Sequence, residues 1–181
     1  MKLTHYFEVS AFNGYELNAP DSLALAITMF HSANTMQPFA VAFPDMKSNL
    51  TGTKLRVFSN SMEHLHALCK FAKSRGLEES LEIGKILEVP EYTVVEYFKH
   101  LRPKLENQKY RPGKKPSEDY FEQQYKLLKT MPYLKLSSKS GGVKFRLYVA
   151  RIDSLDASMS EGEPNSFGLS STRNMVAIPV F

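Results

Sequence analysis

Only one cysteine, Cys69, occurs in the 181 residues. An intramolecular disulfide is therefore impossible, which fits a reducing compartment. Cys69 lies in an apolar stretch, LHALCKFA, of the kind in which a free thiol usually packs. No run approaches the roughly 18 apolar residues that a membrane span needs. The opening MKLTHYFEV has neither a long apolar run nor a small-residue cleavage site, so the expectation is a cytosolic protein without a signal peptide. Metal-ligand spacings are missing as well: there is no Cys-x-x-Cys and no His-Glu-x-x-His. His64 and His66 are close in sequence, but on a helix they point to different faces. No metal and no cofactor is expected. The aromatic RNP1 signature of the commonest RNA-binding module is also absent, so base stacking on a sheet face of that type is not indicated.

What is present is a lopsided charge. Residues 99–151 hold fourteen Lys and Arg against four acids, a net +10, while the rest of the chain carries −6. An excess that runs over some fifty residues points to a polyanion partner, nucleic acid first.

Hydrophobic periodicity divides the chain near residue 90. Leu3, His5, Phe7 and Val9 alternate with Thr4, Tyr6 and Glu8, as in a half-buried strand. Pro20-Asp21-Ser22 starts a helix of about 13 residues with Leu23, Ile27, Phe30 and Asn34 at helical spacing. Phe39–Phe43 and Lys54–Phe58 predict strands. Ser59-Asn60-Ser61 caps a helix through Lys73, with Met62, Leu65, Cys69 and Ala72 inward and Gly76 as its stop. Leu81–Val89 predicts one further strand. This β-α-β-β-α-β order is the ferredoxin-like pattern. The expected class is thus α+β, with a ferredoxin-like domain over 1–90 and a smaller, irregular α/β RNA-binding domain over 91–181. In the second part, Tyr92–Leu101 is strand-like, and Pro112-Gly113 forbids a long helix through the basic segment. Ser117–Lys129 predicts a helix with Tyr120, Phe121, Tyr125 and Leu128 on its face. Tyr133–Ser137 and Lys144–Val149 predict a hairpin, 152–165 a polar loop, and Phe167–Leu169 and Val176–Val180 closing strands.

Two features carry chemistry. His31 follows the core residue Phe30 near the end of the first helix, where a histidine is also a common dipole-stabilised terminus. Far downstream, Ser137-Ser138-Lys139-Ser140 precede Gly141-Gly142 and then Lys144-Phe145-Arg146. Serine hydroxyls can hold a ribose or phosphate, and an aromatic between two cations can stack a base and hold its backbone. Ser-Gly-Gly is equally an ordinary turn.

Taken together, MFHSANTM, FAVAFPD, YLKLSSKSGGVKFRLYV, SFGLS and the terminal IPVF resemble, in order and spacing, the CRISPR-associated endoribonucleases of subtype I-F systems, which process repeat RNA. Residues 91–130 match only loosely. The resemblance implies that His31 is the catalytic histidine and that Ser138 positions the ribose 2′-OH. It places a second serine of that turn at Ser140 and the aromatic that stacks on RNA at Phe145. Lys139, Lys144 and Arg146 would meet phosphate near the site. His100 and Arg102 would read bases at the foot of the stem from one face of a strand. Lys104, Lys109, Arg111, Lys114 and Lys115 would meet phosphates from a loop, because the family's long arginine-rich helix is shorter here and broken by Pro112-Gly113. The implied reaction needs no metal and yields a 2′,3′-cyclic phosphate and a 5′-OH. The implied partners are the repeat hairpin, the mature guide RNA and the other subunits of the interference complex. One departure bears on the site: Phe167 stands where the family has a tyrosine, so no phenol is available to orient His31. That leaves two readings, a working nuclease or a guide-RNA cap with little cleavage.

Overall fold

The computed structural model describes residues 1–12, 16–33, 37–103, 105–106, 108–137, 142–154, 162–171 and 173–181. The class is α+β, with two antiparallel sheets. The first sheet holds β1 (His5–Ala11), β2 (Ala40–Ala42), β3 (Lys54–Ser59), β4 (Leu81–Ile83) and β5 (Leu87–Glu88). Its order is β2-β3-β1-β4, with β5 also on β1. This is the strand order of the ferredoxin-like arrangement. Helices α1 (Ala19–Ser32) and α2 (Met62–Ser74) pack on one another and on β1 and β3.

Local chemistry explains the elements. Phe7 and Val9 of β1 are fully buried, as period-2 alternation requires. Pro20 sits in the first turn of α1, where a missing N–H costs nothing. Leu23, Ile27 and Phe30 then face the core; Asn34 lies outside the described residues. At α2 the Ser61 hydroxyl accepts from the His64 N–H. Gly76 ends the segment at φ 76°, donating to the Lys73 carbonyl. The inner face of α2 differs from expectation: His64, Leu65, Leu68 and Ala72 are buried, Met62 is exposed and Cys69 only half-buried. Helical spacing from Leu65 selects Leu68 and Ala72, and Met62 falls on the first, solvent-facing turn.

The expected strand Leu81–Val89 is interrupted. Val9 pairs with Ile83, whereas Tyr6 pairs with Leu87, so three residues (Gly84, Lys85, Ile86) oppose two on β1. This is a bulge. Gly84 lies at its start, with its N–H on the Glu8 carbonyl and room for a Cβ only 3.3 Å from that oxygen.

The second sheet holds β6 (Val95–Leu101), β7 (Tyr133–Ser137), β8 (Lys144–Ser154) and β9 (Ile178–Pro179) in the order β7-β8-β6-β9. Helix α3 (Glu118–Thr130) is capped by Ser117, whose hydroxyl accepts from the Tyr120 N–H. It buries Phe121 alone; Tyr125, expected on its inner face, is exposed. A single hydrophobic cluster runs through both sheets, from Leu3 to Ile178. Phe43 and Phe98 meet across the junction at 5.7 Å, and α1 packs along β7.

The expected strand Phe167–Leu169 is a turn followed by a short seam. Gly168 has φ 78° and its carbonyl accepts from the Val41 N–H of β2 at 2.8 Å. Two residues on, Ser170 exchanges hydrogen bonds with the Phe98 carbonyl (2.8 Å) and the His100 N–H (3.0 Å) of β6. Residues 168–170 therefore stitch one sheet to the other. The terminal IPVF does likewise: Ile178 is buried, and the Phe181 ring packs on Tyr6 and under the Arg56 guanidinium.

Candidate active site

His31 occupies the last turn of α1, exposed to solvent. Its Nδ1 lies 3.0 Å from the Ser166 carbonyl oxygen. A carbonyl only accepts, so Nδ1 carries the proton and donates. In the neutral ring this leaves the Nε2 lone pair free. The imidazole also lies against the Phe167 ring, with centroids 4.6 Å apart and planes inclined by 32°. A backbone carbonyl and an aromatic face thus orient the histidine, in place of any phenol.

Ser166 and Phe167 occupy the middle of a tight turn. The Gly168 N–H donates to the Asn165 carbonyl at 2.8 Å, and the Asn165 N–H to the Leu169 carbonyl at 2.9 Å. Asn165 Oδ1 accepts from the N–H groups of Phe167 (2.9 Å) and Leu169 (3.2 Å). Asn at the first position and Gly at the fourth are the residues such a turn favours.

Phe167 is the hub. Beyond His31 it meets His100 edge-on at 6.2 Å and Phe145 at 6.3 Å. Residues from α1, β6, β8 and the 165–168 turn therefore converge. Next to them β6 stops at Leu101, opposite Tyr148, leaving the start of β8 without that neighbour. An open cleft of about 610 Å³ forms there, lined by His100, Arg102, Phe145, Arg146, Tyr148 and Phe167 among others.

His100 and Arg102 do not share a strand face. His100 ends in β6, half-buried against Phe167, whereas Arg102 lies past the strand and is exposed. Burial, with Arg102 adding repulsion, lowers the His100 pKa to about 4. The ring is therefore neutral at pH 7. Its folded pKa is below the unfolded value of about 6.5, so its contribution to stability is complete above that value and is lost as pH falls toward 4. The melting temperature should drop between about pH 6.5 and 4, and less so in His100→Asn. Buried His64 is shifted in the same direction by desolvation, so the wild-type-minus-variant difference isolates His100. Equal drops in the two proteins would refute the assignment.

Strand alternation separates the three residues Lys144-Phe145-Arg146. Phe145 pairs with Leu136 and looks to the core side, while Lys144 and Arg146 look the other way. The Arg146 guanidinium lies 4.5 Å over the Tyr133 ring. Lys135 is directly opposite Arg146 in the register. Like charges in that position are unfavourable unless an anion comes between them. Sequence reasoning missed Lys135; its signal was the hairpin register. It also missed Asn165 and Ser166, although Asn-Ser-Phe-Gly is a turn signature.

In the basic segment Lys109, Arg111, Lys114 and Lys115 are exposed and non-helical, with a turn at Pro112-Gly113 closed by Lys114 N–H on the Arg111 carbonyl. Lys115 is 3.4 Å from Glu106. Ser138, Lys139, Ser140 and Lys104 lie outside the described residues. The hairpin that leads to Ser138 ends in the pair Ser137–Lys144, next to Leu136–Phe145 and so beside the Phe167 cluster. No helix among the described residues is long and apolar enough to cross a membrane.

No curated protein sequence matches the chain. Among solved structures, a CRISPR associated protein Cas6 is similar at 13% identity and a TM-score of 0.38, over 99% of each chain. A profile of the CRISPR-associated proteins called Cas_Csy4 matches residues 6–181, nearly the whole chain. The histidine, the hairpin and the glycine turn thus sit within a family-wide match, and the chain belongs to the Cas_Csy4 family, the endoribonucleases that process CRISPR repeat RNA in type I-F systems.

Proposed function

We propose that this chain cuts the repeat hairpin by metal-independent transesterification, with His31 as general base. Nε2 of His31 takes the proton of the ribose 2′-OH. The 2′ oxygen attacks the adjacent phosphorus, the bond from phosphorus to the 5′ oxygen breaks, and that oxygen takes a proton from solvent and leaves as 5′-OH. The upstream product ends in a 2′,3′-cyclic phosphate. Ser138 orients the 2′-OH, a contribution of the proximity kind. Ser140 holds the same turn against the RNA, and Lys139 and Lys144 stabilise charge developing on phosphate. Phe145 stacks on the base beside the scissile bond.

The observation that carries this reading is the bond from His31 Nδ1 to the Ser166 carbonyl, which leaves Nε2 free on a ring packed against Phe167, the residue that Phe145 also meets. An imidazole with one nitrogen so fixed presents the other as a proton acceptor.

Residues 1–90 then act as the domain that supplies His31, and 91–181 as the RNA-binding domain. Arg102, exposed on the cleft, is the better placed of the two proposed base readers, able to pair with a guanine edge. His100, neutral and half-buried, serves instead as a wall of the site. Lys104, Lys109, Arg111, Lys114 and Lys115 contact phosphates from their loop. Lys135 and Arg146 offer a further anion-facing pair on the outer side of the hairpin. After cutting, the protein keeps the 3′ hairpin of the guide RNA and joins the other subunits of the interference complex in the cytosol.

The test uses purified protein, an end-labelled repeat hairpin and excess EDTA. Cleavage that persists, with a cyclic phosphate on the upstream fragment, is the expected result. A requirement for added divalent metal overturns the mechanism. Tight binding with intact RNA would favour the cap reading that Phe167 motivates.

A further inference from the structure

The peptide unit between Ser166 and Phe167 has two ends, and both are held. Its carbonyl faces His31 Nδ1 at 3.0 Å, and its N–H donates to Asn165 Oδ1 at 2.9 Å. A peptide is planar, with C=O and N–H on opposite sides, so fixing one end aims the other. This is also the central peptide of the turn, the one whose flip interconverts the two common turn types. A flipped peptide would turn the Ser166 carbonyl away from the imidazole. The backbone bonds Gly168 N–H to Asn165 and Asn165 N–H to Leu169 do not prevent that flip, because neither uses the central peptide. The side-chain oxygen of Asn165 holds its N–H against that flip, alongside the reluctance of Phe167 to take the positive φ that the flipped turn demands.

We infer that Asn165 is a positioning residue: by pinning the Phe167 N–H it aims the Ser166 carbonyl at His31 and so decides which imidazole nitrogen is free to accept a proton. The consequence for cleavage rests on the reading of His31 as general base; the consequence for the ring itself does not. With the carbonyl in place the proton stays on Nδ1. Without it, the proton moves to Nε2, the nitrogen preferred by a free imidazole, and the base is blocked. Asp at 165 keeps an acceptor at the same reach, whereas Ala removes it.

Nitrogen-15 NMR of the histidine rings of the full chain, without RNA, reads the tautomer of His31 directly. Wild type and Asn165→Asp should show a protonated Nδ1, and Asn165→Ala a shift of population to protonated Nε2. In single-turnover cleavage of the repeat hairpin, Asn165→Ala should be slower by about tenfold or more at saturating protein, with its RNA dissociation constant unchanged, and Asn165→Asp should recover most of the rate. The inference is overturned if His31 keeps its tautomer in Asn165→Ala. It is also overturned if RNA affinity falls in parallel with rate and Asp does not restore either. If wild type and His31→Ala cut equally, the general-base reading fails by itself, and the tautomer measurement still decides the role of Asn165.

Discussion

His31→Ala should cut the repeat hairpin roughly 10²–10⁴-fold more slowly than wild type, the usual worth of a positioned general base. RNA affinity should hold, because the cations available to phosphate lie elsewhere, on the 109–115 loop, at Arg102 and on the β7–β8 hairpin. The fold should hold too, because the side chain is exposed and the core contact of that helix turn is made by Phe30. Rate and binding are therefore expected to separate, as they do when an interaction is made only in the transition state. Added imidazole should return part of the lost activity, since the variant leaves a space next to Phe167 of the right shape. Single-turnover rates and a binding isotherm on the same RNA check this. A variant that cuts like wild type would remove His31 from the chemistry, and a parallel loss of affinity would make it a binding residue.

Gly168→Ala should be among the most damaging single-methyl changes in the chain. Its φ of 78° lies in the left-handed region, which costs other residues about 1–2 kcal/mol. An added Cβ would also lie 2.8 Å from ring carbon Cε2 of Phe39 and 2.8 Å from Cγ1 of Val41. Both belong to the core, and overpacking there costs about 1–3 kcal/mol. A loss of about 3 kcal/mol should lower the melting temperature by roughly 6–12 °C in a protein of this size. Gly113→Ala is the control: φ is 70° and nothing lies within 4 Å of the added carbon, so only the backbone cost remains. Cleavage should fall in Gly168→Ala beyond what unfolding explains, because Phe167 and the Ser166 carbonyl move with the turn. Similar melting temperatures for the two variants would show that the Phe39 and Val41 contacts yield.

Local signals in the sequence were enough wherever an element depends on its own residues. Ser61 and Ser117 cap the helices that they precede, and the alternation in Tyr133–Ser137 gives β7 with the same limits. The bulge at Gly84–Ile86 was not legible, because it exists only as a change of register against β1. Phe167-Gly-Leu169 read as strand for its apolar character, yet the left-handed Gly168 makes it a turn packed on β2. At the site, His31 and Phe145 were readable as residue types with a family precedent. That they share the neighbour Phe167 was not, since the contact joins α1, β8 and a turn from distant parts of the chain. The same distance hid the role of Asn165, whose signature is local but whose target is not.

His31 and the carbonyl that fixes its proton are separated by 135 residues. At translation rates of about 5–20 residues per second, that stretch takes on the order of ten seconds to synthesise. Strands β2 to β5 are made within that stretch, and after them the histidine still has neither Ser166 nor Phe167 beside it. If His31 is the general base, a nascent chain of this protein, surrounded by messenger and ribosomal RNA, would not cut before residues 165–168 have emerged and docked. On that reading synthesis itself would time the onset of activity, and a product terminated short of that turn would lack it.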